Sequence, residues 1–460
     1  MVEVFQPTDI NDETTWLDAC APGAECWKVG EPTMCDIAQL NRNVCQRISN
    51  ILQCSDGLKD LTLAGIGASD GESWESLLLE LAKNQAINTL ELNQISPQSP
   101  VLKQFPPNLR KLTLIDCALP TLFQLSDLPS CLTELRTIHC RIQPAHMQRE
   151  WDSISALELW DLRGNPLNRE LCVSLSGLLP RASTLQKMIL EDTNMSDELL
   201  ALLFAKQVRV RSLNLGENHL HDANSILRLM EIQATVSTLK LQGNPLSCYV
   251  PRAVLPNMTI RRLDLSSCYS GSVCRTNVLS SMCHLRALNL SGNSLDVTTI
   301  QTITSMTSLA TLQLHNCRLT DIHCSTLLTQ LSSQCSALDL ENNSIRHVAP
   351  IAAWICRRHT KLTSLRLAGN SLTDGHMLSI ALEEHCWTLV HTTGLPAVAR
   401  HWVRLNRAGR SWLTTPHGGD GDKTERRLCE QLAEAERVYG LNGTYGLLRQ
   451  VPHLVLQAAG

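Results

Sequence analysis

No stretch of this 460-residue chain approaches the roughly 18 to 20 consecutive apolar residues that cross a bilayer, so no membrane-spanning helix is expected. The first residues, MVEVFQPTDINDETTW, carry acids where an export signal would have a basic end and an apolar core. Neither charge is in excess: 40 Lys and Arg stand against 44 Asp and Glu, a formal net charge of -4. The chain therefore lacks the basic footprint that holds a nucleic-acid backbone or an anionic lipid surface. These absences together lead us to expect a soluble, cytoplasmic chain with neither nucleic acid nor membrane as a partner. Nineteen cysteines do not alter this expectation. Their number is odd, the chain is long and no export signal accompanies them, so most are expected to be small buried hydrophobes rather than disulfides.

Catalytic patterns are also missing. No nucleophile, base and orienting group fall into a recognisable constellation. Gly418-Gly419-Asp420-Gly421 lacks the Gly-Lys-Ser/Thr ending and the flanking strand of a phosphate-binding loop. His315 and His323 lie near Cys317 and Cys324, but four converging ligands are not in prospect, because Cys317 is expected in a buried turn while His315 points the other way from its strand. No enzyme activity, cofactor or metal is expected.

What the chain has in abundance is one phrase, Leu-x-x-Leu-x-Leu-x-x-(Asn or Cys)-x-Leu. It is clearest at Leu285, Leu288, Leu290, Asn293 and Leu295, and again at Leu362, Leu365, Leu367, Asn370 and Leu372. Its copies start at Leu58, Ile87, Leu109, Leu132, Leu157, Leu185, Val210, Val236, Ile260, Leu285, Leu309, Cys335 and Leu362. The period averages about 25 residues, the scale of a stacking repeat whose units cannot bury their apolar faces alone. Alternation such as Leu263-Asp264-Leu265 predicts a short strand in each copy. Spacings such as Ile226, Leu229 and Met230 between the phrases predict a helix, at least in the longer units. The ninth position is Asn at 165, 218, 244, 293, 343 and 370, and Cys at 117, 140, 268 and 317, with Thr193 once. A carboxamide there can both accept from and donate to backbone in a buried turn, and a thiol is small enough for the same slot.

This pattern resembles the ribonuclease-inhibitor-type and cysteine-containing subclasses of leucine-rich repeat proteins. The second is best matched by CRLTDIHCSTLLTQLSSQCSALDL, from Cys317 to Leu340. The resemblance implies an α/β solenoid: a curved horseshoe of about 13 repeats, with a parallel concave sheet and helices on the convex side. Family members bind other proteins on the concave face and adjoining loops; they include inhibitors, substrate receptors, immune sensors and small-GTPase activators.

The expected organisation is an irregular segment over 1–32, a capping helix over 33–54 and the repeat array over 55–390. Residues 391–413 are a tail segment expected to cap the array, 414–425 a linker and 426–460 a C-terminal helical segment. The pairing of HWVRLNRAGR with TYGLLRQVPHLV resembles a tail found behind other repeat arrays in proteins of photosynthetic microalgae. Arg404, Arg407 and Arg410 in that tail are expected to form a solvated helix face, with Trp402 and Trp412 packing inward.

On the outward side of the strands, the third, fifth and seventh positions are mostly small or polar, as in Ala287, Asn289 and Ser291. Repeats three to six depart from this. Ile115, Ile138, Leu159 and Ile189 are apolar there, with Lys111, Glu134, Arg136, Asp161, Arg163 and Glu191 around them. An apolar patch rimmed by charge is the pattern of a protein-docking surface. The expected function is thus a non-catalytic interaction scaffold or receptor subunit that binds another protein through these ten residues. The alternative is a small-GTPase activator of the Ran type, although the acidic C-terminal tail of that family is absent, since Lys423 to Arg449 is mixed in charge. Immune-type ligand sensing is a third reading, without an attached nucleotide-binding, Toll-type or kinase module.

Overall fold

The computed structural model describes residues 26–29, 49–50, 52–53, 58–64, 71–94, 105–117, 127–147, 152–233, 235–246, 259–269, 273–274, 284–358, 362–386 and 388–407. The chain divides into two compact units, Met1–Ser247 with Asn257–Ile260, and Cys248–Pro256 with Arg261–Gly460. The capping helix expected at 33–54 and the segments beyond 407 fall largely or wholly outside the described residues.

In the first unit the strands are β1 Cys26–Val29, β2 Asp60–Ala64, β3 Thr89–Asn93, β4 Lys111–Ile115, β5 Glu134–Ile138, β6 Leu159–Asp161, β7 Lys187–Ile189, β8 Ser212–Asn214 and β9 Thr238–Lys240. Each pairs in parallel with the next. In the second unit β10 Arg262–Asp264, β12 Ala287–Asn289, β14 Thr311–Gln313, β15 Ala337–Asp339, β16 Ser364–Arg366 and β17 His391–Thr393 do the same. A short parallel pair, β11 Val273–Cys274 with β13 Ser294–Leu295, lies beside them. All thirteen strands expected from the phrase are present in the expected register; β1 and β17 are additional members of the same parallel series, and β11 and β13 form the separate pair.

Strand pleating explains the phrase. Successive side chains point to opposite faces, so its fourth position is carried inward in every copy. The inward row Leu112, Leu135, Trp160, Met188, Leu213 and Leu239 is fully buried. Helices cover that side where the connecting segments are long enough, at Arg169–Leu178, Asp197–Leu203, Ala223–Ile232, Val297–Thr304, Asp321–Gln330, Ala349–Arg358 and Gly375–His385. Side-chain caps set the starts of three of them: Asn168 accepts from the Leu171 N–H, Ser196 from Leu199 and Asp296 from Thr299. Between β5 and β6 the connection instead makes two 3-10 turns, Pro144–Met147 and Asp152–Ala156. None of the described helices is long and apolar enough to cross a membrane.

The ninth-position residues tie neighbouring repeats together. Asn218 Oδ1 accepts from the Thr193 and Met195 N–H groups of the preceding repeat, both at 2.9 Å. Its Nδ2 donates to the carbonyls of Leu190, Leu215 and Gly216. Asn343 repeats this arrangement, and Asn293 accepts from the Tyr269 N–H and donates to the carbonyls of Leu265 and Leu290. Cysteine in the same position donates only from sulfur, as Cys140 does to Leu114 O at 3.3 Å and Cys317 to Leu290 O at 3.2 Å. Burial pushes the Cys317, Cys324 and Cys335 thiols up to about 12, so they stay protonated and serve packing.

The residue after the seventh position turns through the left-handed region. It is Gly at 164, 243, 292 and 369, but Asp116, His139, Glu217 and Asn342 adopt the same positive φ elsewhere. At Gly369 glycine is required for a second reason: a Cβ would run into the Asn342 side chain of the preceding repeat.

A second cross-repeat clamp occurs on the helix side. Asp321 Oδ1 accepts from the backbone N–H groups of Arg346 and His347, both at 2.8 Å. Burial opposes ionisation of this carboxyl, but these donors outweigh it and hold the pKa below the ordinary value. A folded-state pKa below the unfolded one contributes stability above the ordinary carboxylate range, and this is lost as pH falls below about 4. Asp321→Asn is therefore expected to make the melting temperature fall less steeply in acid. Melting curves from pH 3 to 7 for both proteins check this; parallel profiles would contradict it.

The array continues past Leu389, where the phrase ends. Strand β17 is followed by a helix, Ala397–Arg407, that packs on Gly375–His385. Trp402 donates from Nε1 to Ser379 Oγ at 3.0 Å, and Asn406 donates to the carbonyls of Cys386 and Leu389. Trp402, Val403 and Asn406 are buried in this junction.

Candidate functional site

All ten residues singled out on the outward face lie in the first unit, on or just beyond four consecutive strands, β4 to β7. The pairing aligns them in three rows. Lys111, Glu134, Leu159 and Lys187 occupy the first row, and Thr113, Arg136, Asp161 and Ile189 the second. In the third row Ile115 faces Ile138 across the β4–β5 pair, and Arg163 and Glu191 follow at the same position in the next two repeats.

The expectation of one apolar patch is modified by this geometry. Ile115 and Ile138 are neighbours and half-buried, whereas Leu159 stands in the first row between Glu134 and Lys187. Ile189 lies in the second row and is only 6% exposed. The two isoleucines of the pair fall at the seventh position of their phrases, Leu159 at the third and Ile189 at the fifth, so strand stacking separates the last two from the pair by register. Asp161 is fully buried although it occupies an outward position.

The charged residues pair with one another. Lys111 Nζ lies 2.9 Å from Glu134 Oε1, and Arg136 Nη2 is 3.3 Å from Glu134 Oε2. Burial opposes ionisation of Glu134, but these two cations outweigh it and hold its carboxyl below the usual range. Asp161 accepts from the Arg163 backbone at 3.1 Å and from its Nη2 at 2.8 Å. Glu191 receives Asn214 Nδ2 at 3.0 Å and Gln242 Nε2 at 3.1 Å, with Arg163 Nε at 3.9 Å. The result is a half-buried isoleucine pair with one charged cluster beside it and a second, hydrogen-bonded cluster further along the sheet. Because their side chains are already held by neighbours, these clusters lose little conformational freedom on contact with a partner.

Asn214 and Gln242 were not anticipated, because they join Glu191 only through the stacking of β7, β8 and β9. In the second unit, His315 points outward as expected, with Cys317 buried behind it. It meets Asp339 and Glu341, a grouping that sequence spacing did not suggest.

Comparison with known proteins bears on this architecture. Over 215 residues, 42% of the chain, the sequence is 27% identical to the ribonuclease inhibitor of Sus scrofa, of which it covers 47%. A solved complex of TLR13 with ssRNA13 matches 75% of the chain at a TM-score of 0.52 and 20% identity, with 54% of that chain covered. The chain is built of leucine-rich repeats. It spans about half the length of each of these two proteins, and no family model matches it. The alternating inward leucines, the ninth-position Asn and Cys and the parallel sheet together resemble the repeat of the ribonuclease inhibitor.

Proposed function

We propose that this repeat protein is a non-catalytic scaffold or receptor subunit that takes a protein partner on the outward face of β4 to β7. The observation carrying this reading is the Ile115–Ile138 pair, an apolar spot between residues already fixed by ion pairs. Apolar centres with organised polar rims are how protein interfaces combine affinity with specificity. The likeness to a protein named for inhibiting ribonuclease supports a protein partner. TLR13, which resembles this chain in fold, was solved with single-stranded RNA; here the charges around the isoleucines are of both signs and mutually paired. Ten of the described cysteines, between Cys117 and Cys386, take part in no disulfide, which supports a reducing, cytoplasmic setting.

Affinity capture from nuclease-treated native extract tests the proposal. The full chain is compared with an Ile115→Asp, Ile138→Asp double variant and with Lys240→Glu as a control on β9, after matching their melting temperatures. Loss of one partner by at least tenfold in the double variant alone is expected. Equal capture by folded wild type and double variant would rule out this face, and a partner removed by nuclease would replace protein by nucleic acid.

A further inference from the structure

We propose that His315, Asp339 and Glu341 form a binding site for a divalent transition-metal ion of the zinc and cobalt class, on the outward face of the second unit. One donor atom from each of the three lies within 4.8 Å of the other two. Side-chain rotation closes such a separation to a coordination sphere with bonds of about 2.0–2.2 Å. One imidazole nitrogen with two carboxylates suits a borderline cation, and favours it over the all-oxygen sets of calcium and magnesium.

The second sphere gives the cluster its direction. Each ligand has one polar atom within hydrogen-bond range of a neighbour and a second held only at longer range. His315 Nε2 is 3.4 Å from Asn342 Nδ2, whose carboxamide can present either oxygen or nitrogen to the ring, and His315 Nδ1 is turned towards Glu341 Oε2 at 3.8 Å. Glu341 Oε1 accepts from Thr393 Oγ1. Asp339 Oδ1 accepts from the Glu341 backbone N–H at 3.0 Å. The atoms held only by longer contacts are His315 Nδ1, Glu341 Oε2 and Asp339 Oδ2. Outer-shell contacts of this kind orient metal ligands and select the imidazole tautomer.

Charge points the same way. Asp339 and Glu341 project to the same side of one strand end, and Asp339 is 9% exposed. A neighbouring cation is Arg366, with Nη1 3.7 Å from Asp339 Oδ2. The Arg366 side chain is 54% exposed and free to swing towards solvent when an ion enters. Three protein ligands leave further coordination positions open on the outward side, where a donor group from a binding partner would complete the sphere. The site stands in the second unit and does not depend on the docking surface proposed for the first.

Titration of the full, reduced chain with Co2+ alone, read by visible absorption, tests the proposal. One ion bound with a nitrogen and oxygen spectrum, and without the thiolate charge-transfer band of cysteine ligation, is expected. His315→Ala combined with Glu341→Gln should weaken binding at least tenfold, and Asn342→Leu roughly 10–100-fold, while His347→Ala, on an exposed histidine of the same unit, should leave it unchanged. Cobalt-edge X-ray absorption on wild type needs no variant and should report imidazole and oxygen ligands. Absence of binding by wild type, sulfur in the coordination sphere, or unchanged affinity in the folded double variant would overturn the site.

Discussion

Asn218→Ala is expected to lower the unfolding free energy by roughly 3–5 kcal/mol, far more than an ordinary surface substitution. The carboxamide accepts from two backbone N–H groups and donates to three backbone carbonyls, and it is 3% exposed. Alanine leaves the Thr193 and Met195 N–H groups buried without that acceptor, and each such group costs about 1–3 kcal/mol. The Thr193 hydroxyl, 3.2 Å from Asn218 Oδ1, loses the same partner. Because these bonds join one repeat to the one before it, the loss falls on the interface through which a stacked array gains its stability. Urea unfolding of both proteins measures this. A change below about 1 kcal/mol would mean that the turns hold themselves and the asparagine only decorates them.

Trp160→Ala should be comparably costly, at about 3–5 kcal/mol. The fourth position of the phrase is leucine in most copies, but in β6 it is a fully buried tryptophan, followed in β7 by Met188. The indole fills the inward row where the connection from β5 makes 3-10 turns rather than a full helix, while Met188 has about the volume of leucine. Truncation opens a cavity next to rigid strands that cannot collapse into it. Trp160→Phe should cost less. Equal losses for the two variants would show that the indole volume is not what the site requires.

Much of this architecture was legible because one pleated strand and one turn recur. Leu263 and Leu265, or Leu288 and Leu290, mark an inward face in a few residues, and thirteen repetitions remove the ambiguity of any single copy. Strands β1 and β17, which extend the parallel series beyond the thirteen copies, lack that mark. In β17 register places Thr392 beside Leu365, so a threonine stands where the phrase requires leucine. In β1 register sets Trp27 beside Leu61 and Val29 beside Leu63, but no further copy of the phrase accompanies this isolated alternation.

The candidate site was legible in part. The outward positions of Lys111, Glu134 and Ile138 follow from the period of two, and their mutual pairing follows from the parallel stacking. What sequence spacing could not supply was which row each apolar residue would join. It also could not foresee that Asp161 and Ile189 would be covered by their neighbours. Residues that meet only across strands, such as Glu191 with Gln242 or His315 with Glu341, are 51 and 26 positions apart and share no local signal.

The central claim is that a protein docks on β4 to β7. Hydroxyl-radical footprinting of the full chain, alone and with its captured partner, tests it most directly by reporting side-chain exposure. The account predicts protection of Ile115, Ile138 and Leu159 on complex formation, with Leu79 and Ile322, both exposed on helices, unaffected. Protection confined to the helices, with Ile115 and Ile138 as reactive as in the free chain, would contradict it.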